Sequence, residues 1–150
     1  MRGKTRQMKK ISPPSIYLDV YNDEVGRGVF ALRAFSKGEI IEEAPIFLIE
    51  EDFSSLPEAF KNRVFNWRYM TKTSAKHAIA LGYGSMYNHC DDPNVVYKAD
   101  HENNLLILIA NRAIAPYEHL TVNYDQEPDI SMPDEVTWFD KRGIQKLDIH

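Results

Sequence analysis

Apolar residues recur at every second position through several short stretches, the spacing expected where one face of a β-strand is buried. The stretches "IYLDVY" (16–21) and "GVFALRAF" (28–35) show strand-like patterns, and "IIEEAPIFLI" (40–49) predicts a strand pair or one bent strand. Turn residues separate them, with a glycine-rich turn before the second stretch and "SKGE" at 36–39. The pattern predicts a mainly β protein.

The second half of the chain continues in the same way. "NLLILIANRAIA" (104–115) predicts a strand, and "HLTVNYD" (119–125) follows a "PYE" turn. Helical spacing is clear only over 54–71, where a serine at the start can cap the helix and bulky apolar residues form one side. A second, short helix is predicted over 133–141, with proline in its first turn and glycine after it.

Composition narrows the class of protein. A chain of 150 residues with 43% hydrophobic residues predicts a single domain with a real core. No stretch reaches the roughly 18 apolar residues of a membrane helix, and no apolar run follows the basic start as a signal peptide would require. Cys90 is the single cysteine, which excludes disulfides within the chain and argues against a zinc site built on thiolates. These features predict an intracellular protein.

Charge is unevenly distributed along the chain. The first ten residues carry five basic side chains and no acidic one, whereas the whole chain has a formal net charge of −4, so residues 11–150 carry −9. An acidic body repels nucleic acid and attracts basic partners. The "SPPS" segment at 12–15 sets off the basic stretch, and residues 1–15 are predicted to form a flexible arm.

The segment "NHCDDPN" (88–94) raises the question of chemistry. His89 and Cys90 do not form an activated nucleophile pair easily, because adjacent residues of an extended chain point to opposite faces. An oxygen-ligated metal site is also weakly indicated, since the spacing of the aspartates matches no ligand pattern such as the calcium loop. These acids are better explained as a solvated face.

Three separated segments together favour another explanation. They are "GRGVFA" (26–31), "NHCDDPN" (88–94) and "EHLTVNY" (118–124). In this order and at these separations they resemble a SET domain, the fold of protein lysine methyltransferases. The resemblance covers roughly residues 16–125, including "AFSKGEIIEE" and "IANRAIAPYE", and the chain is similar in size to the small stand-alone SET proteins of large viruses and bacteria.

The resemblance implies a mainly β, SET-domain (β-clip) fold of small sheets, with a C-terminal pseudoknot and one or two short helices. It implies a domain over 16–130, preceded by the arm at 1–15 and followed by a segment at 131–150 that closes the substrate channel. The pseudoknot would thread the Asn-His segment beneath a loop made by the C-terminal motif, a rare exception to the rule that chains avoid threading.

The implied cofactor is S-adenosyl-L-methionine (AdoMet), and no metal is implied. Tyr124 falls at the position of the catalytic tyrosine, and Tyr97 is expected to reach the same channel from another strand. The implied cofactor-binding residues are Gly26, Arg27, Gly28, Tyr83, Asn88 and His89. The residues expected in the substrate channel are Val122, Trp138 and Phe139.

This chemistry suits the residue types. The attacking lysine amine must be neutral, and its pKa in water is about 10.4. A narrow apolar channel beside a positive sulfonium lowers that pKa through desolvation and like charge. A tyrosine hydroxyl can orient the amine and the methyl group without bringing a full charge, so positioning supplies much of the rate.

Several positions depart from the family pattern. Ser85 stands where an arginine is frequent, Cys90 where serine is usual, Asp91 where many members have a zinc-binding cysteine, and Tyr117 where the turn usually has glycine. These departures keep open a SET-like module that binds a basic peptide without turnover.

The expected partner is a basic protein or peptide such as a histone tail. Direct nucleic acid binding and membrane association are not expected, and a homodimer is left open. The expected location is the nucleus or chromatin where the source has it, and otherwise the cytoplasm.

Overall fold

Two small sheets form the frame of the molecule. The computed structural model describes residues 9–126. The elements, in chain order, are β1 (Ile16–Asn22), β2 (Gly26–Ala31), β3 (Ile40–Ile49), a 3₁₀ helix (Phe53–Ser55), α1 (Glu58–Lys61), β4 (Val64–Phe65), α2 (Trp67–Thr71), β5 (His77–Ala80), β6 (Asn88–His89), β7 (Val95–Asp100), β8 (Leu105–Ala110) and β9 (His119–Val122). The mainly β architecture with two short α-helices is as predicted.

The first sheet has the strand order β1-β2-β9-β6. Its hairpin between β1 and β2 turns at Asn22, whose side-chain oxygen accepts the backbone N–H of Val25 at 2.7 Å. Gly26 follows with a φ of +86°, a conformation that glycine adopts without steric cost. Strand β2 then pairs antiparallel with β9, with Val29 opposite Leu120. The glycine-rich segment therefore lies beside the C-terminal motif.

The second sheet has the order β4-β5-β3-β8-β7, with the long strand β3 at its centre. The register of β3 against β8 shifts between Ile40 and Glu42. Because of this bulge, Ile41 and Glu42 are both buried although they are adjacent in sequence. The single bent strand that the sequence allowed over 40–49 is the one observed, and its bulge turns an acidic side chain inward.

The core lies around β8, whose sequence "LLILIA" is apolar throughout and which lies between β3 and β7 in the sheet. Leu106 and Leu108 are almost fully buried, as are Ile114 and Leu120 from the segments that follow. Trp67 of α2 is 1% exposed and belongs to the same cluster. The core thus joins both sheets and fixes the position of β9.

Strands β6 and β9 are neighbours in parallel orientation. Asn88 is paired with Thr121 and His89 with Val122, and the backbone N–H of Cys90 donates to the Val122 carbonyl at 2.9 Å. The two most informative sequence segments are therefore in direct contact, as the resemblance implied. The threading of one beneath the other stays a prediction.

The single helix predicted over 54–71 is wrong. Pro57 lacks a backbone N–H and restricts Leu56 to extended conformations, so helix α1 starts only at the residue after it. Val64–Phe65 instead form β4, which pairs with β5. A new helix then starts at Asn66, whose side chain accepts the backbone N–H of Tyr69 at 3.1 Å. The apolar positions that suggested one helix are therefore divided among α1, β4 and α2.

Some predictions fall outside residues 9–126. These are the helix over 133–141, the channel residues Trp138 and Phe139, and most of the basic arm. The domain boundaries at 15 and 130 also stay predictions. Within 9–126, no helix has the length and apolar character needed to cross a membrane.

Candidate active site

A cavity of about 870 Å³ is lined by the segment that carries α1 and α2 and by residues of the second half of the chain. This is the size range of cavities that hold small molecules and cofactors. Five of the predicted site residues line it: Asn88, His89, Tyr97, Val122 and Tyr124. The lining also includes Arg63, Phe65 and Met70, together with Glu24 and Val25 from the β1–β2 turn.

Asn88 connects β6 to the glycine-rich strand. Its side-chain amide donates to the carbonyl of Arg27 at 3.2 Å and lies 3.3 Å from Nε2 of His119. Gly28 leaves room for this contact, because a Cβ there would come within 2.5 Å of Nε2 of His119 and 2.7 Å of the Asn88 amide nitrogen. The space beside Gly28 is therefore filled by two side chains of the protein itself.

His119 was not among the predicted site residues. Its ring is buried and stacks on Tyr21 and Phe30, with ring centroids 4.4 and 4.9 Å away. Its Nε2 approaches the Asn88 amide, so His119 contributes to the placement of that amide. Sequence gave no signal for this role, since one histidine at the start of a strand matches no motif.

Both ring nitrogens of His89 make polar contacts within the protein. Its Nδ1 accepts the backbone N–H of Tyr124 at 3.1 Å, and its Nε2 lies 2.7 Å from a carboxylate oxygen of Asp91. An accepting Nδ1 leaves the proton on Nε2, which can then donate to Asp91. The side chain therefore fixes the start of the turn that carries Tyr124.

Tyr124 directs its hydroxyl to the carbonyl of Tyr87 at 3.2 Å. The residue as a whole is 49% exposed, but burial of its phenol still raises the pKa of Tyr124, while the nearby positive charge of Arg63 opposes that rise. The phenol therefore stays neutral at physiological pH. It can donate one hydrogen bond and accept others without introducing a charge.

Tyr97 enters the site from β7; the residue is 5% exposed, and its ring packs edge-on against Phe65 at 5.3 Å between centroids. Its hydroxyl donates to the carbonyls of Asn123 and Tyr124, at 3.2 and 3.3 Å. Its backbone exchanges two hydrogen bonds with the Gln126 side chain. The structure thus places Tyr97 beside Tyr124, and their roles in a shared substrate channel stay a prediction.

Some predicted site residues line the cavity, and others lie next to it or outside its lining. Val122 is 2% exposed and lines it, whereas Gly26, Arg27 and Gly28 adjoin it through Asn88 and the β1–β2 turn. Tyr83 is not among the lining residues, and its backbone N–H donates to Glu42 at 2.9 Å. Among residues 9–126, no group of three or more His, Cys, Asp or Glu side chains is arranged to hold a metal ion.

Asn94 fastens the two key segments to each other. This almost fully buried side chain donates to the His119 carbonyl at 2.8 Å and to Glu118 at 2.9 Å, and accepts the Thr121 N–H at 2.8 Å. An asparagine is suited to this because it has both donors and acceptors. It fixes β9 so that the cavity wall keeps its shape.

A mainly β fold in which a parallel strand pair brings an Asn-His segment against a C-terminal tyrosine is the arrangement of a SET domain. The SET domain family model matches residues 26–125, more than half of the chain. This chain belongs to the SET-domain family.

Relatives and solved structures agree with that assignment. A curated protein of Schizosaccharomyces pombe, named histone-lysine N-methyltransferase, H3 lysine-37 specific, is 33% identical over 99 residues. The match covers 66% of this chain, and the chain spans 66% of that relative's length. A solved structure of a Plasmodium falciparum protein, described as a candidate histone methyltransferase, is 27% identical with a TM-score of 0.62, covering 77% of this chain and 97% of that one.

A further similar structure shows the fold alone. It is a humanized mutant of the Chaetomium thermophilum Polycomb Repressive Complex 2 bound to the inhibitor GSK126, with 19% identity and a TM-score of 0.62. The similarity covers 84% of this chain and 16% of that one.

Proposed function

We propose that this chain is a protein-lysine N-methyltransferase that uses AdoMet and acts on a basic, histone-like protein tail. The observation that carries the proposal is the position of the Tyr124 hydroxyl in a cavity that Asn88 and His89 also line. The name of the Schizosaccharomyces pombe relative supports the histone-like substrate class.

The residues present fit AdoMet. The cavity is of suitable volume and offers neutral polar groups, namely the Asn88 amide, the Tyr124 phenol and the backbone carbonyl of Tyr87, with acidic and basic side chains, among them Asp125 and Arg63, in the same lining. Bound AdoMet would supply a methyl group on a positively charged sulfur, which carbonyl and hydroxyl oxygens accommodate better than cations do. Asn88 would hold polar groups of the cofactor, together with the backbone of His89 and of residues 26–28.

Methyl transfer depends more on the orientation of the lysine amine and the methyl group than on acid–base catalysis. The Tyr124 hydroxyl, itself oriented by the Tyr87 carbonyl, would contact the neutral lysine amine and align its lone pair with the methyl group. Because burial raises the pKa of Tyr124, the phenol keeps its proton and adds no charge that would favour a protonated lysine. The buried Val122 and Tyr97 would limit the space around the amine.

Electrostatics favour a basic substrate. Residues 11–150 carry a net charge of −9, and Asp125 lines the cavity beside Tyr124. A basic tail would be attracted and oriented by this field. We infer that residues 131–150, with Trp138 and Phe139, close the substrate channel, and that the protein acts at chromatin where its source has chromatin.

A methyl-transfer assay tests this function. The protein is incubated with isotope-labelled AdoMet and mixed core histones, and the products are mapped by mass spectrometry, with Tyr124→Phe as the inactive control. Label on lysine side chains is the expected result. Calorimetric titration with AdoMet separates the alternative of a peptide-binding module, for which no cofactor binding at high micromolar concentration is expected.

A further inference from the structure

A buried carboxylate lies behind the wall of the cavity. Glu42, in the bulge of β3, is 5% exposed and accepts two hydrogen bonds, one on each oxygen. The Tyr87 hydroxyl donates to one oxygen at 2.8 Å, and the Tyr83 backbone N–H donates to the other at 2.9 Å. Glu42 therefore fastens both ends of the loop that leads into β6.

The loop is built closely around this carboxylate. Gly82 adopts a φ of +62°, and a Cβ at this position would come 2.7 Å from an oxygen of Glu42. Among residues 9–126, the carboxylate has no ion pair with a basic side chain, and its hydrogen-bond donors are a phenol and an amide N–H. Burial accordingly raises the pKa of Glu42, and it raises that of the buried Tyr87 as well. A group so costly to bury without a basic partner is unusual in a merely structural position.

Tyr87 connects Glu42 to Tyr124. Its hydroxyl is bound by Glu42, and its backbone carbonyl orients the Tyr124 hydroxyl. The Tyr87 carbonyl accepts the Tyr124 hydroxyl at 3.2 Å, and Tyr87 directly precedes Asn88. The Tyr87 side chain and carbonyl share one Cα, so the hydrogen bond from its hydroxyl to Glu42 and the hydrogen bond accepted by its carbonyl are made at opposite ends of a single residue. Glu42 itself does not line the cavity.

We propose that Glu42 is a positioning residue, which acts through the hydroxyl and then the carbonyl of Tyr87 to orient the Tyr124 hydroxyl. The inference rests on the proposed function of Tyr124. It assigns a role in methyl transfer to a carboxylate that touches neither substrate nor cofactor. Because misplacement of a reacting group by about 1 Å can cost ~100-fold in rate, a small tilt of the peptide is enough to matter.

The test is a double-mutant cycle with Glu42→Gln and Tyr87→Phe. Glu42→Gln keeps the shape of the side chain but removes one accepting oxygen, and Tyr87→Phe removes the hydroxyl but keeps the carbonyl. Each change is expected to lower kcat by roughly 10-fold to 100-fold, with the Kd for AdoMet and the KM for peptide nearly unchanged. The double variant should be no worse than the poorer single variant, because both act through one contact. Glu43→Gln, the neighbouring residue on β3, is the matched control.

A second measurement does not depend on turnover. The ring resonance of Tyr124 in ¹³C-tyrosine-labelled protein, assigned by its loss in Tyr124→Phe, reports ionisation of the phenol. Loss of the bond to the Tyr87 carbonyl should lower the pKa of Tyr124 in both variants, while Glu43→Gln leaves it unchanged.

The outcomes are distinct. An unchanged Tyr124 resonance together with additive kcat losses overturns the positioning role, as does a loss of kcat matched by equal losses of affinity and thermal stability. If Glu42→Gln does not fold, Tyr87→Phe decides, since it removes the same hydrogen bond: the parent's kcat and the parent's Tyr124 resonance in this variant would overturn the positioning role. A parent protein that transfers no methyl group refutes the proposed function, whereas the resonance still tests the link from Glu42 to Tyr124.

Discussion

The imidazole of His89 accepts the backbone N–H of Tyr124 at 3.1 Å, across 35 residues of sequence. The same ring lies 5.1 Å from the Tyr124 ring, between centroids, so one side chain contacts both the backbone and the phenol of that residue. The position of Tyr124 is therefore set from β6, the strand that also provides Asn88. The residues proposed to bind the cofactor and to orient the reacting groups are therefore positioned by one strand.

Tyr124→Phe should lower kcat by about 10²–10³ and leave AdoMet binding intact, because the hydroxyl acts on the reacting groups alone. Single-turnover rates with labelled AdoMet measure the chemical step, and calorimetry measures binding. Tyr17→Phe is the control, since Tyr17 stacks on Phe30 in the first sheet and does not line the cavity. A Tyr124→Phe variant that turns over like the parent protein would remove Tyr124 from the reaction.

Asn88→Ala should raise the Kd for AdoMet by about tenfold, the effect of one lost hydrogen bond to a buried partner. The change also removes the contact to the Arg27 carbonyl. Titration calorimetry on a variant whose thermal unfolding matches that of the parent measures the effect. Equal affinity in such a folded variant would place the cofactor elsewhere.

Tyr97→Phe should shift the products towards higher methylation states. In the proposed arrangement the Tyr97 hydroxyl holds a water molecule that occupies space in the channel. Without the hydroxyl the water is lost, and the space beside the small Val122 becomes available to further methyl groups. Mass spectra of the methylated peptide measure the ratio of mono-, di- and trimethyl-lysine. Tyr83→Phe, outside the cavity lining, is the control. The same product ratio in Tyr97→Phe and the parent would exclude this role.

Asn94→Ala should destabilise the protein by about 2–5 kcal/mol. The change leaves the buried Thr121 N–H and His119 carbonyl without the Asn94 side chain, and each such group costs roughly 1–3 kcal/mol. Urea unfolding measures the loss. Asn103→Ala, an exposed loop residue bonded to Asp100, should change stability by less than about 0.5 kcal/mol. Equal effects of the two changes would contradict the fastening role of Asn94.

Stability should also depend on pH through Glu42. Since its pKa is raised in the folded state, folding binds this proton more tightly, and the cost of burying the carboxylate disappears as pH falls through the folded pKa. Hydrogen bonds and Arg33 lower the pKa of Glu39, so its contribution is present above its unfolded pKa, about 4.3, and is lost as pH falls through its folded pKa.

The free energy of unfolding should therefore rise as pH falls through the folded pKa of Glu42 towards its unfolded pKa, about 4.3, and decrease at lower pH as the contribution of Glu39 is lost. In Glu42→Gln the rise should be absent while the decrease at low pH remains. Urea unfolding at a series of pH values measures both. A Glu42→Gln variant with the parent's full pH dependence would show that another group causes the rise.

Much of the fold was readable from sequence because its strands are short, alternating and bounded by turn residues. The hairpin around Gly26 and the apolar β8 follow from local pattern. The helix over 54–71 failed because a 3.6-residue spacing was read across Pro57, whose effect on the backbone is local and decisive.

The site was only partly readable. Asn88, His89 and Tyr124 came from the family resemblance, since no local pattern indicates that β6 pairs in parallel with β9. Glu42 and His119 were missed because their partners lie 45 and 31 residues away. The sequence did contain one indication of a buried acid, the two adjacent acidic residues inside the apolar stretch "IIEEAPIFLI". Adjacent residues of a regular strand point to opposite faces of the sheet, so both can face water only where the register is irregular.

The parallel pairing of β6 with β9 also has a consequence for biosynthesis. Asn88 leaves the ribosome about 30 residues before the partner strand does, a delay of roughly 2–6 s at ordinary rates of elongation. During that interval β6, only two residues long, lacks its parallel partner, and the Asn94 side chain lacks the β9 groups that it binds in the folded protein. The proposed methyl-transfer site is therefore incomplete until β9 is made, and shortened translation products that end within β8 should be inactive even though they retain Asn88 and His89.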